Sequence, residues 1–170
     1  MAKITIYKDI NFGGQSWEYN DSKSNLKDDG FGDKVSSCKV EDGRWILYKD
    51  SNYGGNDCRI LDPGEYADFH AMGLSDNSLD SLRLLPISGI CLFEHDNYRG
   101  QMVALADAVS DLKEINFDNK TSSVIVVSST WNLYEDKDFQ GDKWPLHVGL
   151  YATPKLGDFN NDSISSVKLQ

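Results

Sequence analysis

Two short stretches of this 170-residue chain are built from oxygen donors: DNKTSS (Asp118 to Ser123) and NDSISS (Asn161 to Ser166), each running into apolar alternation. Looser versions stand earlier, GDKVSS (Gly32 to Ser37) and DNSLDS (Asp76 to Ser81). Paired Asp/Asn residues followed by hydroxyls supply side-chain and backbone oxygens, with no nitrogen or sulfur donor. That donor set suits a hard cation such as calcium, which takes six to eight oxygens at about 2.3–2.6 Å. The same residue types also cap turns, so a purely structural use of the four stretches stays open.

Other chemistries find no support. The run DFNNDSISSVKL from Asp158 is not an EF-hand loop, because Ser163 holds its glycine position and Leu169 its glutamate position. His70, His95 and His147 stand alone, too far apart in sequence for a zinc pattern, and there is no Gly-x-Ser-x-Gly or phosphate loop. Nothing selects an acid–base pair from the many carboxylates, so a non-enzymatic protein is expected.

The elements that must carry these stretches repeat. An aromatic, four residues, an aromatic, any residue and a glycine recur as Tyr7…Phe12-Gly13-Gly14, Tyr48…Tyr53-Gly54-Gly55, Phe93…Tyr98-Arg99-Gly100 and Tyr134…Phe139-Gln140-Gly141. Odd and even units differ: Trp45 and Trp131 precede the leading tyrosine by three residues only in the even ones, which also carry Gly64-Glu65-Tyr66 and Gly149-Leu150-Tyr151. The order is ABAB, in two domains, 1–87 and 88–170. Short alternating runs (KITIY, WILY, CLFEH, WNLY) bounded by Gly, Asn and Asp predict β-strands joined by tight turns. The glycine seven residues after each leading aromatic suits a turn needing positive φ, with an aromatic folded over it. Helix is expected only as a turn or two, in ADFHAMG and AVSDLKEI.

Composition sets the outer limits. The net charge is −10, and each half contributes −5 (15 acids against 10 bases, then 12 against 7). With no basic patch, nucleic acid is not an expected partner, nor is an anionic membrane. The three cysteines read as reduced, mostly buried thiols. Neither a leader nor a membrane-spanning run is visible, so a cytoplasmic monomer without membrane insertion is expected, self-association remaining open.

These four aromatic-glycine hairpins, the paired serines, and the tryptophan and Gly-x-Tyr marks of the even units resemble the βγ-crystallin superfamily, in particular its two-domain calcium-binding non-lens members. The resemblance covers essentially the whole chain. It implies an all-β fold of two β-sandwich domains with two Greek-key motifs each, the last serine of each stretch packed on a folded hairpin, and tyrosine corners at Tyr66 and Tyr151. It also implies two interlocked Ca2+ positions per domain. In the second domain one would use the Lys120 carbonyl, Ser122 and Asp162, the other the Ser163 carbonyl, Ser165 and Asn119, with carbonyls of Glu94 and Glu135 added. In the first domain one would use the Lys34 carbonyl, Ser36 and Asn77, the other the Ser78 carbonyl, Asp80 and Asp33. Gly32 and Asp80 depart from the pattern. With at most two carboxylates per position, dissociation constants on the order of 10⁻⁶ to 10⁻⁴ M are expected. The function implied is structural, buffering or stress-related calcium binding; the alternatives are a calcium-independent structural crystallin, or a protein- or carbohydrate-binding module of a larger, pore-forming assembly.

Overall fold

The computed structural model describes residues 1–75 and 78–170. Contacts divide the chain into two units, Met1–Leu85 and Pro86–Gln170. In the first, β1 (Lys3–Tyr7), β2 (Ser16–Tyr19), β3 (Ser37–Asp42), β4 (Arg44–Asp50), β5 (Gly54–Leu61), β6 (Gly64–Tyr66) and β7 (Ser81–Leu85) form two antiparallel sheets, ordered β2-β1-β3-β6 and β5-β4-β7. The second repeats this with β8 (Ile90–His95), β9 (Arg99–Leu105), β10 (Ser123–Val126), β11 (Trp131–Asp136), β12 (Gln140–Leu146), β13 (Gly149–Tyr151) and β14 (Ser166–Leu169), ordered β13-β10-β8-β9 and β12-β11-β14. The architecture is two β-sandwiches of Greek-key type, as the resemblance implied.

The motifs interlock by exchange. Strand β6 belongs to the second motif in sequence yet pairs with β3 of the first, Cys38 facing Tyr66. In return Lys23, from the first motif, bridges to Leu82 on β7, and Val109 bridges to Val167 in the second unit. Each sheet therefore draws backbone hydrogen bonds from both motifs.

Alternation fills the layer between sheets. Ile4 and Ile6 on β1 and Trp45 and Leu47 on β4 reach one core without solvent exposure; Ile90 and Leu92 on β8 and Trp131 and Leu133 on β11 do the same in the other. Each buried aliphatic side chain of this kind is worth about 1.5–3 kcal/mol. The tryptophans also satisfy their polar atom, Trp45 Nε1 donating to the Asp42 carbonyl (3.1 Å) and Trp131 Nε1 to that of Ser128 (3.2 Å).

Among the described residues helix is confined to single turns. Phe69–Met72 lies in one expected segment, capped by Asp68 accepting from the Ala71 N–H (2.7 Å) and stopped by Gly73 at φ 72°. The other expected segment holds only a 3-10 turn, Leu112–Ile115. Helical turns not anticipated are Leu26–Asp29 (3-10), Pro154–Gly157, and the 3-10 turns Ile10–Phe12, Ser51–Tyr53 and Lys137–Phe139 within hairpins. Among the described residues no helix is long and apolar enough to cross a membrane.

Candidate metal centre

Four folded hairpins hold the loops in place. The expected glycines have positive φ: Gly14 69°, Gly55 90°, Gly100 74° and Gly141 73°. The left-handed region extends further than glycine, however. Asn11-Phe12, Asn52-Tyr53, Asn97-Tyr98 and Asp138-Phe139 all have φ between 54° and 62°. Such angles are costly for an aromatic residue. Three contacts offset the cost. Its ring meets the leading aromatic edge-on, with centroids 5.5–5.8 Å apart. Its N–H donates to the last serine of an oxygen-rich stretch: Phe12 to Ser37 Oγ, Tyr53 to Ser81, Tyr98 to Ser123 and Phe139 to Ser166, at 3.0–3.1 Å. That serine in turn donates to a carbonyl at the hairpin's start, of Asp9, Asp50, His95 or Asp136, at 2.6–2.7 Å. The four serines are fully buried with both hydrogen-bonding roles used.

The preceding residue of each stretch is fixed as well. Ser36, Asp80, Ser122 and Ser165 donate their backbone N–H to the carbonyls of Tyr7, Tyr48, Phe93 and Tyr134 at 2.8–3.1 Å. The second residue of a stretch turns the chain: Asp33, Asn119 and Asp162 each have φ 52°, a conformation Asp and Asn tolerate better than most residues. Loop geometry thus accounts for part of the Asp/Asn preference with no ion.

In the second unit the predicted residues come together. Ser122 Oγ lies 2.9 Å from the Glu94 carbonyl oxygen and 3.2 Å from Asp162 Oδ1, joining a hairpin, its own loop and the loop of the other motif. Glu94, Lys120, Ser122 and Asp162 line an open cavity of about 650 Å³. The twin position is looser. Ser165 Oγ is 3.4 Å from Asn119 Oδ1, at a second hollow of about 560 Å³ lined also by Lys113, Asp118 and Asp136. Ser163 turns its hydroxyl to the Asn160 carbonyl (2.8 Å), and Glu135 is exposed, one residue past the carbonyl that Ser165 engages.

In the first unit the gathering is partial. Ser36 is buried beside the Tyr7 carbonyl, Lys34 is exposed with its Nζ at the Gly30 carbonyl (3.3 Å), and Asn77 lies outside the described residues. At the twin position Asp33 donates its N–H to Asp80 Oδ1 (3.0 Å), while Ser78 Oγ turns to the Ser75 carbonyl (2.6 Å). A residue not singled out from sequence completes this cluster: Lys27, whose Nζ is 2.5 Å from Asp80 Oδ2 and 3.5 Å from Asp33 Oδ2. Nothing in the spacing of the stretches points to it, since it belongs to the separate turn Leu26–Asp29. Among the described residues no three His, Cys, Asp or Glu side chains form a metal-binding group. A cation at these loops would depend on carbonyl and hydroxyl oxygens, and the second unit's donors fit that requirement.

The Beta/Gamma crystallin family model matches residues 3–85 and again 89–169. The chain belongs to the βγ-crystallin family. Human gamma-crystallin D is 37% identical over 99% of this chain and 97% of its own length, and mouse gamma-crystallin E is 36% identical over 89% and 87%. Geodin, a βγ-crystallin of the sponge Geodia cydonium, superposes with a TM-score of 0.81 over 99% of both chains at 23% identity, a likeness of fold.

Further features of this βγ-crystallin follow its local environment. Tyr66 Oη donates to the Asp62 carbonyl and Tyr151 Oη to that of His147, both at 2.9 Å, forming the two implied tyrosine corners. In the first domain Tyr19 Oη donates to Asp29 Oδ2 (2.8 Å), and Lys23 Nζ is 2.9 Å from the same oxygen. The Lys23 ammonium, then the Tyr19 hydroxyl, hold the Asp29 carboxyl below the usual carboxylate range. Burial pushes the Cys38 thiol up to about 12; Cys38 and Cys91 are buried and Cys58 is half-buried. The three histidines are exposed.

Proposed function

We propose that this βγ-crystallin is a calcium-binding structural protein whose ions join the two motifs of a domain at their oxygen-rich loops. The supporting observation is Ser122 Oγ standing between the Glu94 carbonyl and Asp162 Oδ1, three oxygens from three separate segments. Ser122 and Asp162 are the residues that hold an ion there, with carbonyls of Lys120 and Glu94; Ser165 and Asn119, with carbonyls of Ser163 and Glu135, hold its twin. An ion bound only by the folded chain adds stability of about 2.7 kcal/mol at a hundredfold excess over its dissociation constant. That favours a structural or buffering role without catalysis.

Calorimetric titration of the full chain with calcium chloride, paired with thermal melts in calcium and in chelator, tests the reading. Saturable binding in the 10⁻⁶ to 10⁻⁴ M range and a higher melting temperature are expected, both lost for the second domain in Ser122→Arg with Ser165→Arg. Melts unmoved by millimolar calcium would leave the second reading, a calcium-independent structural crystallin. Its own support is that Ser122 and Asp162 already hydrogen-bond directly, tying the two loops together without an ion.

A further inference from the structure

Gly32 and Asp80, the two departures of the first domain from the oxygen-rich pattern, have one common neighbour in Lys27. We propose that the Lys27 ammonium is a tethered cation standing in for a metal ion at the twin position of the first domain, so that Asp33 and Asp80 are neutralised from within the chain and this loop stays closed without calcium. The inference rests on the calcium reading above only in treating the oxygen-rich stretches as cation positions.

Asp80 is almost fully buried, and a buried carboxylate is unfavourable unless both oxygens find partners. Oδ1 accepts from the Asp33 N–H (3.0 Å) and Oδ2 receives Lys27 Nζ (2.5 Å), which also approaches Asp33 Oδ2 (3.5 Å). The turn carrying Lys27 is anchored at the same residue, the Leu26 N–H donating to the Asp80 carbonyl (2.8 Å). Gly32 supplies the room. A Cβ there would lie 2.0 Å from Lys27 Cγ and 3.0 Å from Asp80 Oδ1. Gly32 is not among the positive-φ glycines, so space rather than backbone freedom explains it. The second domain keeps the turn and its lysine but changes the residues they face. Asp118 occupies the place of Gly32 and Ser165 that of Asp80, and the matching lysine, Lys113, lines the open hollow beside them. The Leu112 N–H still donates to the Ser165 carbonyl (2.8 Å), so the turn is placed alike and only the side chains differ.

A cation tethered this closely has an effective concentration on the order of millimolar or more. An ion can enter only in the fraction of molecules whose lysine has swung away, and its apparent dissociation constant rises in inverse proportion. An increase of at least about tenfold is expected.

The test uses the full chain, with amide-resolved NMR titration by calcium chloride and thermal melting in chelator. In chelator Lys27→Met should melt lower than wild type, while Lys27→Arg and Lys113→Met should not. Calcium should then restore Lys27→Met and shift the amides of Asp33 and Asp80 at concentrations at least about tenfold lower than in wild type. No loss of stability in chelator, or the same calcium response at Asp33 and Asp80 with and without the lysine, overturns the proposal. Asn119, Ser122 and Asp162 in the same spectra report on the second domain separately. Silence there, with a response at Asp33 and Asp80 in Lys27→Met, defeats the calcium reading of that domain and leaves the role of Lys27 standing; the reverse pattern defeats Lys27 alone.

Discussion

The two domains share hairpins, cores and net charge, and differ in how their loops are held. The first closes loops with fixed charge: Lys27 on Asp80, and Lys23 with Tyr19 on Asp29. Eighty-six residues on from Tyr19, Lys23 and Asp29, the second domain has Leu105, Val109 and Ile115. Leu105 and Val109 pack against its apolar core. Its oxygen-rich loops remain as open hollows lined by Ser122, Asp162 and Ser165. With −5 on each half, total charge explains none of this; placement does. One backbone frame accommodates either a lysine on a buried carboxylate or an open, oxygen-lined hollow, depending on a few side chains at the loop mouth.

The largest test probes what the domains share. Trp45→Ala and Trp131→Ala each empty a fully buried site and should cost about 3–5 kcal/mol in denaturant unfolding. A large inequality would mean the cores are not equivalent. Calcium comes next, and should separate them. At a hundredfold excess, amides of the second domain should gain about 2.7 kcal/mol of hydrogen-exchange protection, more than those around Asp33 and Asp80.

Ser81→Ala and Ser166→Ala return to likeness. Each removes a buried hydroxyl that both donates and accepts, so a loss of about 1–3 kcal/mol is expected in both domains by chemical denaturation. The smallest effect is one of pH. Because the folded state holds the Asp29 carboxyl low, its contribution is complete above the ordinary carboxylate pKa near 3.9 and fades as pH falls through the folded value. Asp29→Asn should therefore cost about 1 kcal/mol at pH 7, and the gap should narrow in acid. Wild-type first-domain signals should show this acid-sensitive component, and signals of the domain bearing Ile115 should not.

Much of the scaffold was legible before any coordinates. The glycines at fixed distance from each aromatic, the terminal serines and the tyrosine corners occupy the expected places. The hairpin's detail was only half legible. Glycine marked one left-handed position, while Phe12, Tyr53, Tyr98 and Phe139 adopt another that no propensity would assign to an aromatic, held there by a serine from a later strand. The oxygen-rich stretches were visible as donors, but Ser163 and Glu135 are less engaged than Ser122 and Asp162. The pairing of β6 with β3 was hidden too, because a three-residue strand carries no mark of its partner.

Sequence alone determined the repeat, the turn-forming positions and the identity of the loop oxygens, because local conformation and donor chemistry depend on residue type at short, fixed spacing. Tertiary structure decided which cation sits over Asp80, why Gly32 has no side chain, and which loop oxygens meet. Those outcomes depend on distances through space between segments far apart in the chain, where a few ångströms separate a lysine on a carboxylate from one lining an open hollow.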